Sequence, residues 1–211
     1  MITEPHVNDY INSLSGDLPL YLDRLEQYAL ETHVPIIRKE AQSFLCFLIR
    51  EYNPSRILEI GTAVGFSAQL MAEASKGTVT TIEKVEMRLK EARKNLKASP
   101  NADRITLIEG DALSVLKELE GPYDFIFLDA AKGQYMNFLK EIMRLLPVGG
   151  HLLTDNVLQE GSLAGSKFAV ERRDRTIHMR MREYLHTITH SDRLDTVILP
   201  VGDGMAVSRK I

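Results

Sequence analysis

Cysteine is almost missing from this 211-residue chain: Cys46 is the only one. A single thiol excludes an intramolecular disulfide framework and a thiolate metal cage. Cys46 lies in the apolar run F-L-C-F-L and reads as a buried core residue, which fits a reducing, cytoplasmic setting. No apolar run approaches the roughly 18–20 residues that span a bilayer, and the start lacks a signal-peptide pattern, so no membrane association is expected. The net charge of −3 excludes a general affinity for polyanions, and any nucleic-acid site must be a local basic patch. Repeats and low-complexity segments are also lacking. What remains is a chain with 44% hydrophobic residues, long enough for one well-buried domain over 1–211.

The stretch R-I-L-E-I-G-T-A-V-G-F-S, Arg56 to Ser67, organises that domain. Ile57, Leu58 and Ile60 form a short apolar run ending at Gly61, the pattern of a buried parallel strand entering a tight turn. Gly65 permits a close backbone approach, and a helix is expected from about Phe66. Strand, glycine turn and helix form the entry to a nucleotide site at the carboxyl edge of an open α/β sheet. The spacing G-x-x-x-G and the carboxylate of Glu59 argue against a pyrophosphate and suit an ammonium or sulfonium group. Glu83 ends the next strand, T-V-T-T-I-E, 22 residues after Gly61, where an acid grips a ribose diol. Together these stretches resemble the cofactor motifs of class I S-adenosylmethionine-dependent methyltransferases.

Residues 1–52 read as a helical cap before the core of 53–211. Leu22, Leu25, Tyr28 and Ala29 share one face, as do Ala41, Phe44, Leu45 and Leu48. Such a preface can cap the substrate side or form a dimer surface. Strands are expected at 57–61, 78–83, 105–109, 123–129 and 151–155, with helices between them, an alternation that predicts a parallel sheet covered on both faces. A long helix from about Lys167 to Thr189 then leads to L-D-T-V-I-L-P, the turn G-D-G and M-A-V-S-R. Strands joined by so short a turn must be antiparallel. The result is an α/β, Rossmann-like sheet of seven strands, mostly parallel, with a C-terminal antiparallel hairpin.

Acids recur at the strand ends: Glu83, Asp111, Asp129, then Asp155 with Asn156. Helix capping explains any one of them but not their shared position at the ligand edge. Glu83 and Asp111 suit the ribose and adenine ends of a nucleoside cofactor. Asp129, Asp155 and Asn156 offer only oxygen ligands, which favours a hard cation such as Mg²⁺. Lys132 follows Asp129 by three residues. Without a metal it reads as a solvated loop lysine; with one, its amine stands near the open side.

Asp129-Ala-Ala-Lys132 together with Thr154-Asp155-Asn156-Val157 resembles the metal-dependent O-methyltransferases related to catechol and caffeoyl-CoA methyltransferases, over essentially the whole chain. The resemblance implies S-adenosyl-L-methionine as cofactor, Mg²⁺ on Asp129, Asp155 and Asn156, Lys132 as base beside Asp129, and a homodimer. It adds Ile36, Ser67 and Ala112 to the cofactor residues Glu59, Gly61, Gly65, Glu83, Asp111 and Asp129. Within the family, H-V-P-I-I, D-A-A-K-G-Q-Y, D-N-V-L and I-L-P-V-G-D-G look most like the bacterial tRNA 5-hydroxyuridine methyltransferases. That implies methylation of the 5-hydroxyl of 5-hydroxyuridine in tRNA, at the wobble position, giving 5-methoxyuridine. Two departures count against a plant-type substrate: the T-S-A-D-E-G-Q stretch is replaced by P-I-I-R-K-E-A-Q, and no tryptophan can serve as a catechol gatekeeper. The alternatives are a small catechol-like or caffeoyl-CoA-like acceptor, or a non-catalytic S-adenosylmethionine-binding protein.

Between Lys167 and Arg193, seven Lys and Arg face four Asp and Glu, locally reversing the chain's net charge. Helical spacing buries Ile177, Met181, Tyr184, Leu185 and Ile188 and puts Arg172, Arg175, Arg182 and His186 opposite. That face is either a solvated helix surface or a stripe that contacts tRNA phosphates.

Overall fold

Apolar side chains on both faces of the central strands require helices on both sides of the sheet. The computed structural model, which describes residues 2–211, has this arrangement. Strands β1 (Arg56–Ile60), β2 (Thr78–Glu83), β3 (Ile105–Glu109), β4 (Phe125–Leu128) and β5 (His151–Thr154) run parallel, while β6 (Leu194–Leu199) and β7 (Met205–Lys210) form an antiparallel pair. The order is β3-β2-β1-β4-β5-β7-β6, with β7 inserted antiparallel against β5. Alternation sorts the core into two layers. Ile57, Phe125 and Phe127 pack towards α2 (Leu20–Glu31), α3 (Lys39–Tyr52) and α4 (Phe66–Ala74). Leu58, Ile60, Ile126 and Leu128 pack towards α7 (Tyr135–Leu145) and α8 (Arg175–Thr189). Burial of each such side chain is worth about 1.5–3 kcal/mol.

The cap comprises α1 (Pro5–Ser13), α2 and α3. Pro5 suits the first turn of α1, where its missing N–H costs nothing. Asn53 caps α3 in the left-handed conformation and Pro54 follows, so the expected stop at N-P-S is present. Cys46 is a buried free thiol, as its apolar run predicts. Among the described residues, no helix is long and apolar enough to cross a membrane.

Two expectations need correction. The helix expected from Lys167 starts at Arg175, because the preceding residues are nearly all exposed and bury no apolar stripe. Its buried face is also turned: Ile177 is 38% exposed, whereas His178 is 1% exposed and joins Met181, Tyr184, Leu185 and Ile188. Both ring nitrogens of His178 lack a hydrogen-bond partner.

A candidate active site at the strand ends

β1 lies between β2 and β4, so successive connections leave it in opposite directions and open a crevice at the carboxyl edge. A cavity of about 720 Å³ occupies it. Gly61 makes the crevice possible, with φ of +108° and a position where a Cβ would stand 2.0 Å from the Asp129 carbonyl oxygen. Any side chain there would force β1 and β4 apart.

One half of the cavity is built like a nucleoside site. Glu83 is buried, and its carboxylate accepts backbone N–H bonds from Ala63 at 3.0 Å and from Lys84 and Val85 at 2.9 Å each. Three donors from the glycine turn and the strand end fix its orientation. Asp111 lines the cavity while capping α6 (Ala112–Glu118) through the Leu113 N–H at 2.9 Å. Lys84 also pairs with Asp111 at 2.9 Å, and these bonds hold its carboxyl below the usual range. Capping and cavity lining therefore coincide in this residue. Ile36, Gly61, Ser67 and Ala112 line the same space.

Glu59 and Gly65 stand behind the wall rather than on it. Strand alternation turns Glu59 sideways under α4, where Ser67 and Thr81 donate to its carboxylate. It is fully buried, and desolvation pushes its carboxyl up to about 7 against the lowering effect of those two hydroxyls. The sequence reading of Glu59 as a direct ligand-facing charge gives way to a pillar beneath Ser67. Gly65 adopts φ of +84°, and a Cβ there would meet Leu96 at 2.9 Å, so close helix packing accounts for it.

The other half gathers the later acids. Asp129 follows β4 and Asp155 follows β5, each held by a backbone N–H that continues the parallel ladder, to Ile60 and Leu128 respectively. Asn156 sits at a left-handed φ of 61°, which brings its amide nitrogen within 3.4 Å of Asp129 Oδ1 and 3.3 Å of Asp155 Oδ2. Burial raises both carboxyls above their ordinary range, and the Asp129 charge adds to the rise at Asp155. Two such carboxylates beside an amide fit a hard divalent cation, which would supply the missing positive charge. Among the described residues no group of three His, Cys, Asp or Glu is placed to hold a metal, and the third member of this trio is the amide of Asn156. Lys132 lines the same wall in the short turn Lys132–Gln134.

Arg38 and Asp203 also line the cavity and were not singled out from the sequence. Arg38 precedes α3 and bridges Asp203 at 2.9 Å and Glu160 at 2.8 Å, joining three distant segments. Only the motif I-L-P-V-G-D-G pointed to this turn.

The basic stripe is dispersed. Arg172 is exposed in the turn before α8, and Arg175 begins the helix with its guanidinium 5.3 Å from the Phe168 ring centre. Arg182 donates to the carbonyls of Leu163 at 3.0 Å, Ala164 at 3.5 Å and Gly165 at 3.0 Å, so it braces the loop that follows Asn156. His186 stacks on His190 with ring centres 4.0 Å apart. No continuous row of four free groups exists.

A family model described as O-methyltransferase matches residues 12–211. The chain is 31% identical to a caffeoyl-CoA O-methyltransferase of Citrus natsudaidai, over 91% of this chain and 96% of that protein. It is 34% identical to a catechol O-methyltransferase of Mycobacterium tuberculosis, over 75% of this chain and 74% of that one. The SAH-bound crystal structure of the Podospora anserina methyltransferase PaMTH1 superposes with a TM-score of 0.88 at 29% identity, covering 98% of this chain and 94% of that one. With its glycine turn, its acid-lined crevice and these likenesses, the chain belongs to the O-methyltransferase family and is a methyltransferase of the S-adenosylmethionine-dependent class.

Proposed function

We propose that the protein transfers a methyl group from S-adenosylmethionine to one of two neighbouring oxygens of its acceptor, with Mg²⁺ on Asp129, Asp155 and Asn156. The observation that carries this reading is the convergence of those three side chains with Lys132 on the cavity wall opposite Glu83. Glu83 and Asp111 grip the nucleoside end, while Ile36, Ser67 and Ala112 shape its walls. Asp129, Asp155 and Asn156 would hold the cation, which would supply Lewis acidity that favours the ionised hydroxyl. Lys132 takes the hydroxyl proton. The acceptor oxygen then forms its bond to the methyl carbon as the carbon–sulfur bond breaks, and sulfur leaves as a neutral thioether. Holding the partners in line contributes up to about 7–11 kcal/mol.

For the acceptor we propose 5-hydroxyuridine in tRNA, whose 5-hydroxyl and 4-carbonyl are adjacent. The four motifs that resemble the tRNA 5-hydroxyuridine enzymes support it. A second reading, a small catechol-like or caffeoyl-CoA-like acceptor, is favoured by the names of the curated relatives. A homodimer completes the proposal, and sedimentation should give about twice the 23.8 kDa chain mass.

The deciding experiment is mass spectrometry of tRNA nucleosides from a strain lacking the protein, paired with turnover assays with and without Mg²⁺. Accumulation of 5-hydroxyuridine and loss of 5-methoxyuridine is expected. Robust catechol turnover with unchanged tRNA nucleosides would select the second reading.

A further inference from the structure

The stretch D-A-A-K-G-Q-Y ends on a tyrosine to which the mechanism above gives no role. Tyr135 opens α7 and is 1% exposed. Its ring meets Tyr184 of α8 edge-on, with ring centres 5.4 Å apart. Its hydroxyl donates to the backbone carbonyl of Asp155 at 3.3 Å. A carbonyl oxygen only accepts, so the tyrosine is the donor in this bond. Tyr184 is buried as well, but its hydroxyl meets a side chain instead, the Thr154 hydroxyl at 2.7 Å.

The Asp155 carbonyl belongs to the peptide unit that joins Asp155 to Asn156. The other side of this unit is held too, since the Asn156 N–H donates to Asp155 Oδ1 at 2.7 Å. A peptide bonded on both sides resists turning over, and its orientation sets the φ of the residue that follows. That residue is Asn156, at a left-handed φ of 61°. Left-handed backbone is strained for a residue with a side chain, although asparagine tolerates it better than most. Such strain persists only where the surroundings hold it. Beyond Asn156 the chain is anchored again, by the Val157 N–H that donates to the Gly204 carbonyl at 2.9 Å. The strained residue lies between two anchors, and its amide stands within 3.4 Å of Asp129.

We propose that Tyr135 is a positioning residue for the cation site. Its hydroxyl holds the Asp155–Asn156 peptide, and through it the left-handed Asn156, in the orientation that brings the Asn156 amide to Asp129 and Asp155. This rests on the metal reading given above. Tyr184, one ring away, carries a buried hydroxyl that does not bond that peptide and so provides the comparison.

The test titrates Mn²⁺, standing in for Mg²⁺, into the wild type, Tyr135→Phe and Tyr184→Phe, and reads free Mn²⁺ by electron paramagnetic resonance. Each substitution keeps the ring and removes one buried hydroxyl, so both variants should fold and lose a similar, small amount of thermal stability. Tyr135→Phe should raise the Mn²⁺ dissociation constant about tenfold, within the range found for groups that orient metal ligands. Tyr184→Phe should stay within about twofold of the wild type, since it leaves the bond to that peptide in place. Calorimetry should give all three proteins the same affinity for S-adenosylmethionine. Mn²⁺ binding by Tyr135→Phe equal to that of the wild type would overturn the assignment and leave the metal reading standing. An equal loss in Tyr184→Phe would also overturn it, by reducing both hydroxyls to general packing. No Mn²⁺ binding by the wild type would overturn the metal reading, and this assignment with it.

Discussion

Single residues set the cofactor half of the site, and two carboxylates there behave in opposite ways. Glu83 is oriented by three backbone N–H groups, so the ribose diol proposed for this place would meet a carboxylate that needs no reordering. Glu83→Gln should weaken S-adenosylmethionine binding by about 1–1.5 kcal/mol, read by calorimetry, because a charge-assisted pair becomes a neutral one. An unchanged dissociation constant would remove the ribose assignment. Glu59 is the buried pillar, with its carboxyl raised from 4.5 to about 7. A raised carboxyl binds more protons in the folded state than in the unfolded one, so its ionisation costs stability as pH rises from about 4.5 towards 7. Glu59→Gln should remove that slope, and its advantage over the wild type should grow to roughly 3 kcal/mol by neutral pH. Urea unfolding across this range checks it, and parallel stability curves would contradict it.

At the level of elements, the acceptor half is made where strand ends meet loops. Asp129 and Asp155 come from adjacent parallel strands whose register pairs Leu128 with Thr154, so their side chains emerge side by side. Asp155→Ala should abolish turnover and leave cofactor affinity within about threefold, since the proposed cofactor contacts are Glu83 and Asp111 on the other half. Chelation should reproduce the loss, with Mg²⁺ restoring activity. Full activity after exhaustive chelation would refute the metal role. The loop beyond Asn156 contains Gln159 and Glu160 at left-handed φ values of 48° and 56°, and Arg182 of α8 holds its far end by three carbonyls. Arg182→Met should free that loop: amide exchange over 158–166 should quicken and the acceptor KM should rise, with the cofactor dissociation constant unchanged. Unaltered exchange would show that the brace carries no strain from this loop.

At the scale of the whole molecule, charge and topology act together. Net −3 discourages long-range attraction to RNA, so phosphate contacts must come from local cations such as the exposed Arg172 and the half-buried Arg175. Reversing both to Glu should reduce methylation of tRNA sharply and flatten its salt dependence. It should spare a free 5-hydroxyuridine nucleoside, if that is accepted; equal tRNA rates would dismiss these two as the contact. The sequence by itself determined the layered sheet, the glycine turn and the run of acids at one edge. Those features depend on local rules: continuous apolar strands, a glycine where no Cβ fits, and a parallel order that puts successive strand ends on the same side. Tertiary structure alone decided which groups face the cavity. Alternation moved Glu59 off the wall, and packing turned α8 by one position to bury His178 instead of Ile177. The meeting of Arg38 with Glu160 and Asp203 ties it to segments more than a hundred residues further along the chain, and no periodicity encodes a contact of that kind.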